Sequence, residues 1–297
     1  MSEPLFQIES KHLNTISEEQ KHLALNKLES GHVIYFPSYS FMPLEQEALL
    51  FSELILDSSQ KNISYHYKTQ RLNGLADKKS PASFVSLLQS FMHRYAEYTL
   101  ELIHCILPYY KDSILWGRTS YRPAEIKGRK SSKRKDDTRL HVDSFPSTPV
   151  NGHRILRVFC NVNPYGKPRV WNLGEPFMDV LAQFSPEIPN YKPYKAKLLQ
   201  LVKATKSLRT PYDHYMLELH DRMKLNDRYQ SRVNKHRFDF PPFSTWIVFT
   251  DQVSHAALSG QYLLEQTFYL PVSKMAEEAL SPLRLLEKEK SFSLEMT

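Results

Sequence analysis

Cysteine and glycine are the scarce residues of this 297-residue chain, with two of the first and eight of the second. Cys105 and Cys160 form no CxxC pair, so a disulfide framework is excluded and a reducing compartment is implied. The glycines are isolated from one another, so there is no phosphate-cradling loop of the GxGxxG or GxxxxGK[ST] type. HExxH and GxSxG are also missing, which removes the commonest zinc-protease and hydrolase signals. No apolar run reaches the eighteen or so residues of a membrane span, and MSEPLFQIESKHLN lacks the basic start and apolar core of a signal peptide. The chain is therefore expected to be non-secreted, soluble and cytoplasmic.

Acidic residues are absent from one stretch in particular. KGRKSSKRK, residues 127–135, carries six Lys/Arg against a net charge of +7 for the whole chain, so the rest is close to neutral. A charge confined to one loop speaks against a broad nucleic-acid-binding face, and no nucleic-acid partner is expected. Taken alone, the loop reads equally well as solvated charge.

With 41% hydrophobic residues, the chain can bury the core of one large domain. Ser17 and Gln20 predict a capping box for a helix that Gly31 stops, HVIYF (32–36) predicts a strand, and the stretch from Met42 predicts a second helix. Ser80-Pro81 opens a long helix whose apolar stripe runs from Phe84 to Ile106, ahead of Pro108. His93 and His104 on it read as ordinary amphipathic-helix residues. From Ile114 the texture changes to strands: ILWGRTSYR, RLHVD, RILRVFCNV, RVWNL, HRFDF, STWIVFT and LLEQTFYLP. Helical segments interrupt this series at about 185–233, where His214 and His220 are six apart and so fall on different helix faces. SPLRLLEKEK adds a C-terminal helix. The expected fold is mainly β with flanking helices, a single domain over 1–297. Its layers are an N-terminal helical layer (about 1–110), a double-stranded β-helix or jelly-roll core (about 114–271) and the helical insertion.

The chemistry concentrates in RLHVDSFPSTPVNGHRILRVFCNVNP, residues 139–164. On a strand, His141 and Asp143 point to one side and offer an imidazole nitrogen and a carboxylate to one metal ion. His255, presented by a loop between STWIVFT and LLEQTFYLP, supplies a third ligand, because a jelly roll brings distant strands face to face. Two histidines and one carboxylate leave three coordination positions open, the facial arrangement of non-haem Fe(II) oxygenases.

These segments, with FTDQVSHAALSGQYLLEQTFYLP, resemble the Kdo (3-deoxy-D-manno-oct-2-ulosonic acid) 3-hydroxylase family of Fe(II)- and 2-oxoglutarate-dependent oxygenases, and the likeness extends to most of the chain. The resemblance implies Fe(II) held by His141, Asp143 and His255, with 2-oxoglutarate and O2 as co-substrates. It further implies hydroxylation of C3 of the Kdo sugar on lipid A precursors of lipopolysaccharide, coupled to the release of succinate and CO2. Many oxygenases of this superfamily hold the distal carboxylate of 2-oxoglutarate with an arginine about ten residues after the second histidine, whereas that strand here has Gln266 and no Lys or Arg. Arg157 is expected to replace it, its planar fork suiting a carboxylate, with Asn161 and Gln266 assisting. Arg154 has the opposite parity and is expected to be a surface charge. Arg118, Tyr121 and Arg122 are candidates for holding a sugar carboxylate or phosphate.

A Kdo-bearing glycolipid lies in a bilayer, so loop 127–135 is expected to dock on an anionic membrane face, peripheral to the inner membrane of a Gram-negative-type bacterium. Two rival readings are an oxygenase of the same fold acting on a protein or nucleic acid, and a non-enzymatic lipid- or RNA-binding barrel. Iron content with succinate formation separates enzyme from binding module.

Overall fold

The computed structural model describes residues 3–76 and 80–294. In chain order the elements are β1 (Leu5–Gln7), α1 (Glu18–Glu29), β2 (Val33–Phe36), β3 (Ile63–His66), β4 (Arg71–Asn73), α2 (Ala82–Ile106) and β5 (Leu115–Arg122). There follow β6 (Arg154–Asn161), β7 (Arg169–Leu173), α3 (Phe177–Phe184), α4 (Pro193–Leu201), α5 (Pro211–Leu225) and α6 (Asp227–Arg232). The chain closes with β8 (His236–Phe240), β9 (Ser244–Phe249), β10 (His255–Ser259), β11 (Leu263–Leu270) and α7 (Pro282–Lys290).

Local signals account for most of these boundaries. Ser17 and Gln20 form the reciprocal capping box of α1, and Gly31 takes φ +87° just beyond its end, a conformation costly for any residue with a Cβ. Thr210 and Asp213 cap α5 in the same way. The stretch from Met42 departs from the predicted helix and forms two 3-10 turns, Glu45–Leu50 and Glu53–Ile55. The reason is local: the Ser52 hydroxyl accepts a hydrogen bond from the Leu54 amide and starts a new turn in place of a continuing helix.

The strands form an eight-stranded sheet, ordered β1-β2-β9-β6-β11-β5-β3-β4, and a three-stranded sheet, β10-β7-β8. Only the β1–β2 pairing is parallel among those described. Alternation along β6 explains the layering. Leu156 and Val158 join the cluster that includes Leu102, Ile103 and Ile106 of α2, whereas Phe159 packs with Trp171, Phe240 and Trp246 between the two sheets. One face of the large sheet is thus roofed by helices and the other encloses a β-sandwich interior. No helix among the described residues is long and apolar enough to cross a membrane.

Arg154 corrects an expectation. Its parity does turn it away from the sandwich interior, but the helix-covered face is packed, and the side chain is fully buried instead of solvated. Its Nε donates to Asp251 Oδ2 at 2.7 Å, its Nη2 to Gln252 Oε1 at 2.6 Å, and the guanidinium lies 3.8 Å from the centre of the Phe249 ring. Arg154→Ala strands a buried carboxylate, and urea denaturation is expected to show a loss of about 3 to 5 kcal/mol of stability. A loss below about 1 kcal/mol would mean that water replaces the guanidinium.

Candidate metal centre

The segment expected as the strand RLHVD is ordered differently. His141 forms a single antiparallel bridge with His255, exchanging N–H···O bonds of 3.0 and 2.9 Å, and the Ala257 amide donates to the Asp137 carbonyl at 2.8 Å. Two residues on, the Asp143 amide donates to the carbonyl of Thr250, just past β9, at 2.7 Å. The segment therefore starts on the edge of the small sheet and crosses to the large one. His255, expected on a loop, opens β10 and pairs with Leu173 of β7 on its other side.

This seam brings one ligand atom from each of His141, Asp143 and His255 within 4.8 Å of one another, all three residues being buried. In each histidine Nδ1 lies 2.8 Å from the carbonyl oxygen two residues upstream, Arg139 for His141 and Val253 for His255. That contact sets the Nδ1–H tautomer and leaves the Nε2 lone pair for a metal. The rings are braced as well: Trp171 stacks on His255 with centroids 5.1 Å apart, and His220 meets His141 edge-on at 5.4 Å. Burial, helped by the Lys224 charge, pushes the His141 pKa down to about 3, and burial also lowers that of His255, so both are neutral ligands at pH 7. Burial on its own would raise the Asp143 carboxyl, but the Arg157 guanidinium and the two imidazoles hold it well below the usual range. Two neutral imidazoles and one ionised carboxylate fit a divalent cation such as Fe(II), and these three residues are the ones that would hold it.

Around the triad lies a chain of charges. Arg157 Nη1 is 3.2 Å from both Asp143 Oδ2 and Glu265 Oε1. Arg122 joins the other oxygen of Glu265 at 3.0 Å and Asp137 at 3.5 Å, and Asp137 also meets Lys61 at 2.7 Å and Lys224 at 3.9 Å. Four cations face three carboxylates, leaving an excess of positive charge before any metal is added. Arg169 adds to it, because it is buried, donates to the Gly260 carbonyl and meets no carboxylate within ion-pairing distance among the described residues. Burial and the nearby Arg122 push its pKa down to about 9.

The other candidate residues divide by position. Arg157 faces the triad and Arg122 the same charge chain. Arg118 is exposed, with Nη1 3.5 Å from Ser64 Oγ. Tyr121 points to the helix-covered face, where its ring meets Phe91 and its hydroxyl donates to the Leu50 carbonyl, so it lies away from the triad. Gln266 is on that face too: it accepts from Thr119 Oγ1 at 2.6 Å and donates to the Thr267 carbonyl, leaving it turned away from the metal ligands. Asn161 has the parity of Arg157 but spends both amide protons on the carbonyls of Lys167 and Phe240 at the far end of β6. Glu265, Asp137, Lys61 and Lys224 join the site without being part of the sequence pattern that marks the triad. The i, i+2 parity of Leu263 and Glu265 on β11 is a signal for Glu265, whereas nothing local marks Lys224 of the insertion.

Replacing His141, Asp143 or His255 with Ala is expected to weaken Fe(II) or Co(II) binding more than about tenfold by calorimetric titration. Asp143→Ala is expected to be the mildest, because water or an added anion fills the vacated position. A variant that keeps wild-type affinity does not belong to the metal set.

Comparison with known proteins gives concordant results. A family model described as 3-deoxy-D-manno-oct-2-ulosonic acid (Kdo) hydroxylase matches residues 11–291. A crystal structure of the Kdo hydroxylase KdoO, a non-heme Fe(II) alphaketoglutarate dependent dioxygenase, in complex with cobalt(II), is 45% identical. It covers 99% of this chain and 98% of its own at a TM-score of 0.95. The same enzyme with alphaketoglutarate and Fe(III) is 44% identical over the same shares, with a TM-score of 0.94. No curated protein sequence matches the chain. A family match over nearly the whole length, joined to the buried His141–Asp143–His255 seam, places this chain in the Kdo hydroxylase family.

Proposed function

We propose that the chain is an Fe(II)- and 2-oxoglutarate-dependent dioxygenase that hydroxylates C3 of the Kdo sugar of Kdo-lipid A precursors. The observation that carries the reading is the two-histidine, one-carboxylate seam, set in a fold shared over its full length with a Kdo hydroxylase. When bound, Fe(II) supplies the activation of O2 that couples oxidative decarboxylation of 2-oxoglutarate to hydroxylation of a C–H bond. The chain's own task is to orient and to exclude water. His141, Asp143 and His255 are the residues that would hold the metal. The surplus of buried positive charge suits a dianionic 2-oxoglutarate and a sugar carboxylate, which would otherwise lose their hydration without return.

Arg157 is the residue proposed to anchor the distal carboxylate of 2-oxoglutarate, being the cation paired with a metal ligand. Arg122, linked to it through Glu265, and the exposed Arg118 are proposed to meet the acidic groups of the acceptor. Docking on an anionic membrane is proposed for the 127–135 loop, though with fewer free charges than its sequence offers. Lys133 pairs with Asp227 at 2.5 Å and Arg134 with Asp221 at 2.8 Å, while Lys127, Arg129, Lys130 and Lys135 form no ion pair among the described residues, Arg129 donating to the Gln60 carbonyl. At about 1 kcal/mol for each free basic residue near an anionic leaflet, the loop contributes a few kcal/mol, screened by salt.

The decisive measurement is mass analysis of the lipid A core from cells expressing the chain, with one added oxygen on Kdo as the expected result. Succinate formed by the purified enzyme with no oxygen gained by a Kdo acceptor would redirect the reading to a protein or nucleic-acid substrate. Arg157→Ala is expected to weaken 2-oxoglutarate binding by roughly 2 to 5 kcal/mol in a titration, while unchanged binding would transfer the anchor to Arg122. Replacing the six basic residues of 127–135 with Ser is expected to raise the apparent KM for a membrane-bound acceptor. Succinate formation without acceptor should stay near wild type.

A further inference from the structure

Helix α4 turns large apolar side chains outward. Its buried residue is the small Ala196, at 3% exposure, while Tyr194, Leu198 and Leu201 stand 63%, 56% and 79% exposed and Val202, at its C-cap, 61%. At roughly 100° per residue, Tyr194, Leu198 and Leu201 fall within about 60° of one another, and Ala196 lies nearly opposite. A helix that buries Ala196, half-buries Leu199 and exposes Leu198 and Leu201 leaves large apolar side chains for something outside the chain.

The surrounding charge says what that partner is. From Ile188 to Tyr212 there is no Asp or Glu, while Lys192, Lys195, Lys197, Lys203 and Lys206 are all exposed and form no ion pair among the described residues. Apolar residues on one face of a helix with only cations beside them match the boundary between acyl chains and anionic headgroups. The contrast with a second exposed apolar stretch is informative. Met42, Leu44, Leu49 and Leu54 are 44–86% exposed, but Glu45 and Glu53 lie among them, which an anionic surface repels.

Position completes the case. Beyond α4, the Lys206 amide donates to the Ser147 carbonyl at 2.9 Å and Arg209 Nη2 to the Pro146 carbonyl at 2.8 Å. Asp213, at the start of α5, accepts from the amides of Val150 and Asn151. The insertion is thus fastened along residues 146–151, a segment that begins three residues after Asp143, and Phe145 of the same stretch lies under the Arg157 guanidinium at 5.5 Å. An α4 held on a surface brings the Pro-rich break beside the metal ligands to that surface as well.

We infer that α4 is the membrane-inserting element of the protein, laying Tyr194, Leu198 and Leu201 into an anionic bilayer with its lysines at the headgroups. The inference rests on the reading of the acceptor as a glycolipid and names the element that reaches it. Loop 127–135 then acts by long-range attraction, and α4 by insertion.

Salt and substitution separate the two. Wild-type chain is expected to co-sediment with vesicles of phosphatidylglycerol and phosphatidylethanolamine but poorly with phosphatidylcholine alone. Leu198→Ser with Leu201→Ser, both at exposed positions, is expected to lower partitioning at least about tenfold. At about 0.5 M salt the loop's attraction is screened within a few ångströms, so a residual wild-type binding that the serine pair abolishes belongs to α4. Binding by the serine variant within twofold of wild type overturns the inference, as does a wild type that binds no vesicle. It is equally overturned if the wild type is a dimer that the serine pair splits, because a second copy then covers the face. Hydroxylation of a water-soluble Kdo glycoside should be equal in wild type and variant. If the wild type leaves that glycoside unchanged, the Kdo reading fails, whatever the vesicles show.

Discussion

Everything at the metal centre depends on one backbone pairing, the exchange of hydrogen bonds between His141 and His255. Two residues further on, Asp143 is bonded instead to Thr250 at the end of β9, so a span of three residues joins both sheets. The ligand geometry is therefore set by main-chain bonds that side-chain substitution does not remove. The imidazoles are aligned by carbonyls of their own segments, and Trp171 and His220 limit their rotation. A metal arriving here finds ligands already oriented, with little ordering left to oppose binding.

A buried array of this charge would be unstable if its members were not interleaved. Arg157 lies between Asp143 and Glu265, Glu265 between Arg157 and Arg122, and Asp137 among Arg122, Lys61 and Lys224. Glu265 compensates two cations and Asp137 three, whereas Asp143 has Arg157 alone, so the two shared carboxylates hold the array together. Any carboxylate bound at Arg157 or Arg122 would have to compete with Glu265 for guanidiniums that are already paired.

Much of this was legible in the sequence, for identifiable reasons. Strand parity separated Arg157 from Arg154, because β6 is regular over all its eight residues and alternation survives folding. The same rule shows where Gln266 had to go: its register partner is Val158, one of the residues turned toward the helices. The helix expected from Met42 failed because apolar spacing does not register a serine that caps a competing turn. HxD was legible as a ligand pair although its strand shrank to one bridge, since extended backbone is all the i, i+2 relation requires. The partners of Asp137 were not legible, because Lys61 and Lys224 come from a turn and from an insertion helix that only tertiary packing brings together. The burial of Arg154 was hidden for the same reason: alternation gives the face of a side chain, and the elements covering that face are named elsewhere in the chain.

The order of strands carries a consequence for the life of the molecule in time. β2, near the start, pairs with β9, and β6 is flanked by β9 and β11, so the central ladder contains no segment that can close before the last quarter of the chain exists. Contacts of such long sequence separation form late and slowly. On a ribosome, His141 and Asp143 emerge more than a hundred residues ahead of Thr250 and His255, and until those arrive they have no backbone to hold them. The three-residue seam is therefore complete only once the large sheet is.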